Sequence, residues 1–211
     1  FTKSFSQITS EEFVRDYLKG FLNARVIVAG FNHHFGFNKE GDYRHLWNWR
    51  EKYDFEAEEI PEQEVQHETV SSTKIRKAIS EGYIQRANAY LDHYYIIMGR
   101  VEDYSLQLPE GFPSLNKIPL TEECKILPAT GVYAVSMVSG TEHGKGMAII
   151  NHTPGKPDEV LLNVFGNEEK LKRDTVTLLF HKMIRGSVDF SDKKAPYQLG
   201  MARAEIEDLI Y

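Results

Sequence analysis

Three hydroxyl residues and one arginine stand close together in "ETVSSTKIRKAISEG", residues 68–82: Ser71, Ser72 and Thr73, then Arg76 one helical turn on. The first N–H groups of a helix have no backbone partner and carry partial positive charge, so an anion placed there is stabilised. Hydroxyls add neutral hydrogen bonds to such an anion, and a guanidinium adds a charge-assisted, bidentate one. This combination suits a phosphate group. The same residues also suit a plain helix N-cap with a solvated arginine, and the residues alone leave both readings open. A second constellation is "VIVAGFNHHFGFNKEGD", residues 26–42, a polar, aromatic and glycine-bearing loop directly after an apolar run. Asn32 offers a donor and an acceptor there, Phe31, Phe35 and Phe37 offer walls for an aromatic ligand, and Gly30 and Gly36 permit close backbone approach. His33 and His34 have no acidic or cysteine companion at ligand spacing and read as ordinary loop residues.

The elements that must carry these groups follow from periodicity. "ITSEEFVRDYLKGFL" opens with Thr9 and Glu12 in capping-box spacing, and Phe13, Tyr17 and Phe21 with Val14, Leu18 and Leu22 predict one apolar helix face. "ARVIVAG" predicts a buried parallel strand, "GDYRHLWNWREKYD" a helix and "FEAEEI" a strand. A helix from the hydroxyl cluster, with Ile75, Ala78 and Ile79 on one side, and a short helix "IQRANAYL" complete a βαβ-like first part. In open α/β sheets ligands sit outside the carboxyl ends of strands, which is where the Asn32 loop falls. From about Tyr94 five strand-like runs ("YYIIMGRV", "GVYAVSMV", "GMAIINH", "EVLLNVF", "DTVTLLFHKMI") predict a small antiparallel barrel, and "APYQLGMARAEIEDLI" a C-terminal helix packed on it. The expected domains are therefore 1–93, α/β, and 94–211, mainly β.

Composition narrows the class. The 211 residues are 41% hydrophobic, enough for one large core or two modest ones. A formal charge of −6 speaks against a nucleic-acid surface while leaving room for a local phosphate pocket. No apolar stretch approaches the roughly 20 residues of a membrane span. The lone Cys124 has no intrachain disulfide partner and reads as a packed small residue. A cytoplasmic setting with no membrane partner is expected. The chain begins at Phe1 in mid-pattern and reads as part of something longer.

These pieces in this order, "VIVAGFNHHFG", "VSSTKIRKAISEG", "YYIIMGRV", "GFPSLN" and "GVYAVSM", resemble the bacterial bifunctional riboflavin kinase/FMN adenylyltransferase family. The resemblance implies a Rossmann-like nucleotidyltransferase portion followed by a riboflavin-kinase-like antiparallel β-barrel with a C-terminal helix. It implies ATP, FMN and riboflavin as substrates, and Mg²⁺. Ser71, Ser72, Thr73 and Arg76 match the family's S-S-T-x-x-R motif, which binds ATP phosphates during transfer of AMP to FMN. Asn32 falls in its G-x-[DN]-x-x-F-G loop. In the kinase half, Ser114 and Asn116 of "GFPSLN" match residues that contact Mg²⁺ and nucleotide phosphates. Glu159 matches the base that takes the proton from riboflavin's ribityl hydroxyl, although it reads equally as a solvated strand-end glutamate.

The chain also departs from that pattern. The G-x-F-D-G-x-H-x-G-H stretch of the family is expected upstream of Phe1. Leu115 replaces an alanine and is expected to crowd the turn. "RVEDYSLQLPE" lacks glycine between Gly99 and Gly111 and adds Glu102, Asp103 and Glu110, which oppose a phosphate cradle. Ser187 replaces an acid after Arg185, and "INHTPGKP" lacks an R-P-T element. Three readings stay open: an FAD-forming enzyme with a weakened or inactive kinase module, a catalytically decayed flavin- or nucleotide-binding relative, and a nucleotidyltransferase for another phosphorylated acceptor.

Overall fold

A capping box starts the chain's first long helix. Thr9 accepts from the Glu12 N–H, and the Glu12 carboxylate accepts from the Thr9 N–H and hydroxyl, at 3.1 and 2.9 Å. The computed structural model describes residues 1–65, 68–103, 111–120, 125–152, 159–166 and 175–210. Cys124 and the whole of "SLQLPE", with Glu110, and of "TPGKP" lie outside the described residues. By contacts the chain divides into two compact units, Phe1–Val70 and Ser71–Tyr211.

In the first unit, α1 (Ser10–Glu12) runs on into π-helical turns over Phe13–Phe21, with the Leu22 N–H bonded to the Tyr17 carbonyl five residues back at 2.9 Å. Five-residue bonding widens each turn and rotates the expected apolar row off a single face. Val14 is buried and Leu18 packs on the core, while Phe21 and Leu22 are 82% and 63% exposed. Strand β1 (Val26–Gly30), helix α2 (Tyr43–Tyr53) and strand β2 (Glu56–Ile60) form a βαβ unit whose strands pair in parallel, Val26 opposite Glu56 through Gly30 opposite Ile60. Parallel pairing matches the expectation, but burial on both faces does not. Ile27 and Ala29 face the core with Val14, Leu46 and Phe55, whereas alternation turns Val26 and Val28 to solvent. Short strands β3 (Glu64–Val65) and β4 (Glu68–Thr69) end the unit.

In the second unit, helices α3 (Ser72–Ser80) and α4 (Ile84–Leu91) precede seven strands: β5 (Tyr95–Arg100), β6 (Glu102–Asp103), β7 (Asn116–Pro119), β8 (Gly131–Ser139), β9 (Glu142–Ile150), β10 (Glu159–Val164) and β11 (Thr175–Arg185). They form one antiparallel sheet in the order β5-β11-β8-β9-β10-β7-β6. The sheet curls into a half-barrel that brings its far strands together. A Cβ on Gly99 of β5 would lie 2.4 Å from Ile118 of β7, so only glycine fits at that seam. The inner face buries Tyr133, Val135, Ile150, Leu162, Leu178 and Phe180 together with Ala78, Ile79, Ile84 and Ala87 of the two helices. The outer face buries Val132, Ala134, Met147, Ile149 and Leu161 under α5 (Ala195–Leu209), through Leu199, Ala202 and Ile206. Asn88 of α4 fastens the helix pair to the sheet: its amide donates to the Phe180 carbonyl (2.8 Å) and its carbonyl accepts from the Tyr95 N–H (2.7 Å). No helix of the described residues is long and apolar enough to cross a membrane.

One residue past Phe180, His181, half-buried in β11, lies 2.6 Å from the Ser136 hydroxyl and against the Tyr94 ring. Burial pushes its imidazole below the usual histidine range. Between that lowered value and pH 6.5 the unfolded chain therefore binds a proton that the folded one does not. Unfolding free energy should rise with pH from the depressed folded value up to about 6.5 and level off above it, as far as His181 is concerned. Chemical denaturation across that range checks this: His181→Gln should flatten the rise, and an unchanged profile would reassign it.

Candidate functional site

Helix α3 begins at Ser72 because Ser71, extended at φ −148°, ψ 152°, caps it through its hydroxyl, which accepts from the Lys74 N–H at 3.3 Å, while its carbonyl takes the Ile75 N–H at 3.0 Å. Ser71 is thus spent on the cap. The N–H groups of Ser72 and Thr73 have no acceptor among the described residues, and neither do their exposed hydroxyls. Arg76 is exposed and makes no ion pair among the described residues. It stands four residues after Ser72 and three after Thr73, on the same helix face, and helical side chains lean toward the N-terminus. Two amides, two hydroxyls and one guanidinium, unpaired among the described residues, therefore share the exposed face at the start of α3. The opposite side, Ile75, Ala78 and Ile79, is held in the half-barrel's inner core, as the spacing predicted.

This division of labour separates the two readings of the hydroxyl cluster. Ser71→Ala should lower thermal stability by about 1 kcal/mol through the lost cap. Ser72→Ala should leave stability within about 0.5 kcal/mol yet weaken pyrophosphate binding. Denaturant melts and calorimetric titration of each variant check the pair, and equal behaviour in both would leave the cluster as a cap alone.

The Asn32 loop belongs to the first unit and is firmly fastened. The Phe31 N–H bonds the Ile60 carbonyl at 3.0 Å, and Phe35 and Gly41 exchange both backbone bonds, at 3.0 and 2.9 Å. The Glu40 carboxylate accepts from the Ser10 N–H (2.9 Å) and hydroxyl (3.2 Å). Gly36 has φ +77°, and a Cβ there would lie 2.5 Å from the Ser10 backbone, so its glycine is required. Gly30 has no heavy atom within 4 Å of that position, so the close approach expected there is not made within the protein. Asn32 is exposed two residues past the carboxyl end of β1. Phe31 and Phe37 are 40% exposed, while Phe35 turns inward against Phe13 and His33. A cavity of about 280 Å³ beside the loop is walled by Phe1, Phe5, Phe13, Phe35 and Gly36. Sequence reasoning missed Phe1 and Phe5 as wall residues and placed Phe13 only on a helix face. A larger cavity, about 820 Å³, opens at the amino ends of β1 and β2 between Arg25, Trp47, Arg50, Glu56 and Glu58. It lies at the opposite end of the strands from the loop, and its charges nearly balance, so size alone does not mark the site.

In the half-barrel, Ser114 is exposed just before β7, and its carbonyl accepts from the Asn163 amide at 2.8 Å. Asn116, 8% exposed, shares the inner face with Ile118, and its side chain has no hydrogen-bond partner among the described residues. Leu115 does not crowd the turn: it is 5% exposed in the outer core beside Val132, Ala134 and Met147. Glu159 opens β10 opposite Pro119, and its side chain lies outside the described residues. Glu102, in β6, is exposed and paired in register with Lys117. Arg185 ends β11 with its Nε buried and unpartnered among the described residues. The Asn116 amide oxygen and the exposed Ser114 hydroxyl are neutral hard donors of the type Mg²⁺ takes alongside phosphate oxygens.

Comparison with known proteins gives these features a setting. The family described as FAD synthetase matches residues 1–74, and the family described as riboflavin kinase matches residues 91–196. A bifunctional riboflavin kinase/FMN adenylyltransferase of Listeria monocytogenes is 32% identical over 187 residues, 88% of this chain and 55% of that protein. A FAD synthetase of the same bacterium is 32% identical over 133 residues, 63% of this chain and 48% of that one. A bifunctional relative from Escherichia coli K12 is 30% identical, covering 73% of this chain and 49% of its own. The chain spans about half the length of the curated relatives it matches. A crystal structure from Streptococcus pneumoniae, of a protein described as a macrolide-efflux protein, superposes with a TM-score of 0.81 at 27% identity, over 99% of this chain and 67% of that one.

Proposed function

Because the chain belongs to the bifunctional riboflavin kinase/FMN adenylyltransferase family, we propose that it serves flavin cofactor biosynthesis, transferring AMP from ATP to FMN and carrying a riboflavin kinase module. The observation that carries this reading is the start of α3, where Ser72, Thr73 and Arg76 present unpaired donors on one exposed face. In that reaction an FMN phosphate oxygen attacks the α-phosphorus of ATP, the bond from that phosphorus to the bridging oxygen breaks, and pyrophosphate leaves. The chain supplies no covalent nucleophile. Ser72, Thr73 and Arg76 hold the leaving phosphates and stabilise the charge that builds on them. Asn32, on its fastened loop, takes a nucleotide or flavin polar edge. The adenylyltransferase portion is residues 1–93 and the kinase portion 94–211. Helices α3 and α4 belong to the first by motif and share a core with the second.

In the kinase portion, Glu159 accepts the proton of the ribityl hydroxyl as that oxygen attacks the γ-phosphorus of ATP, the bond from that phosphorus to the bridging oxygen breaks and ADP leaves. Ser114 and Asn116 would hold nucleotide phosphate with Mg²⁺. The metal, when bound, neutralises charge on the phosphate oxygens. Glu102 adds a carboxylate to this half, which opposes phosphate binding and makes kinase turnover the slower of the two. The setting is cytoplasmic, where ATP and FMN are at hand. Incubation with FMN, ATP and Mg²⁺, then with riboflavin, ATP and Mg²⁺, tests the reading by chromatography. FAD should form faster than FMN, and formation of neither would overturn it.

A further inference from the structure

Asn163 is wholly buried in β10, at 0% exposed, in a sheet whose other fully buried positions are apolar. Strand alternation sets it on the outer face with Leu161, whereas its neighbours Leu162 and Val164 face the inner core. One arm of its amide is used: Nδ2 donates to the Ser114 carbonyl at 2.8 Å. The other arm is not, since Oδ1 is buried without a partner among the described residues. A leucine would serve packing better at such a position, because an unpaired buried acceptor disfavours the fold. The β10–β7 ladder explains the location. Its rungs run from Glu159 opposite Pro119 to Leu162 opposite Asn116 and stop there. Asn163, one residue further along, continues the ladder with its side chain and grips the exposed segment two residues before Asn116. Leu115 anchors the same segment from the apolar side, in the outer core.

We propose that Asn163 is a positioning residue for the nucleotide phosphates: it fixes the backbone of Ser114–Asn116 so that the Ser114 hydroxyl and the Asn116 amide are set before ligand arrives. This rests on the kinase reading of the half-barrel. It acts through Ser114 and touches no substrate itself. Asn163→Leu keeps the volume, removes the unpaired oxygen and cuts the tie. Asn163→Asp keeps the volume and turns the tie into a repulsion between oxygens. Both variants should fold, with the leucine variant melting within a few degrees of the wild type. Amide hydrogen exchange over Ser114–Asn116 should quicken at least tenfold in both, and the dissociation constant for Mg·ADP, measured by calorimetry on the whole chain, should rise tenfold or more.

A purely structural asparagine gives a different pattern, a large drop in melting temperature with unchanged Mg·ADP affinity of the folded protein, and that result overturns the proposal. Faster exchange with unchanged affinity overturns it as well. Wild-type protein that binds no Mg·ADP sinks the kinase reading and this inference with it. Wild-type binding that Asn163→Leu retains in full sinks the inference alone.

Discussion

Arg76→Ala should slow FAD formation by about 2–3 kcal/mol of transition-state stabilisation, the loss of one charged hydrogen bond to a reacting group, or on the order of a hundredfold in rate. Its effect on stability should be small, since Arg76 is exposed and unpaired among the described residues. That asymmetry is the value of the variant: a residue whose removal leaves the melt unchanged and abolishes most turnover is held for the ligand. Arg76→Lys should fall between, because an ammonium keeps the charge and loses the planar fork that meets two phosphate oxygens at once. Initial rates of FAD formation at saturating FMN, with thermal melts alongside, decide the matter. Full activity in Arg76→Ala would remove the guanidinium from the mechanism and leave α3 with an ordinary capped start.

The sequence made much of this arrangement readable, and the failures have physical causes. Helices α2, α3 and α4 and five of the seven sheet strands stand where periodicity put them, because each carries enough apolar residues at one spacing to bury one face. Strand β7, "NKIP", has only Ile118 as an apolar side chain and ends in a proline, so no alternation announces it; it is a strand because β10 lies beside it. The π-helical turns after Glu12 could not be told from an α-helix, since both use apolar residues three to five apart. Leu115 looked like an intruder in a tight turn, yet outer-core space under α5 absorbs it, and that space exists only once the sheet has curled. At the candidate site, residue types were legible and roles were not: Ser71 and Ser72 are identical in sequence, but only the first is extended and turned back on Lys74. Asn88 and Asn163 were invisible because their partners lie 92, 7 and 49 residues away in the chain.

Phe180→Ala should be the most damaging single core change, lowering stability by about 3–5 kcal/mol. The ring is 0% exposed and packs edge-on against Tyr133, with centroids 5.6 Å apart, and against Tyr95 at 6.3 Å. Truncation leaves a cavity between two aromatic rings that are themselves pinned. The Tyr133 hydroxyl donates to the Ala129 carbonyl at 2.6 Å and the Tyr95 hydroxyl to the Ile126 carbonyl at 2.5 Å, so neither is free to collapse inward. The melting temperature should fall on the order of 10 °C. The site consequence follows from the same packing. Ala78 and Ile79 of α3 belong to the cluster that holds Phe180, and Asn88 ties α4 to the Phe180 carbonyl. The phosphate cradle proposed at Ser72–Arg76 would therefore be anchored to the half-barrel core and should lose pyrophosphate affinity as that core melts. Circular dichroism and pyrophosphate titration followed over the same temperature series in Phe180→Ala should give coincident midpoints. Retention of binding well above the midpoint of the half-barrel would show that α3 is held by something other than this core.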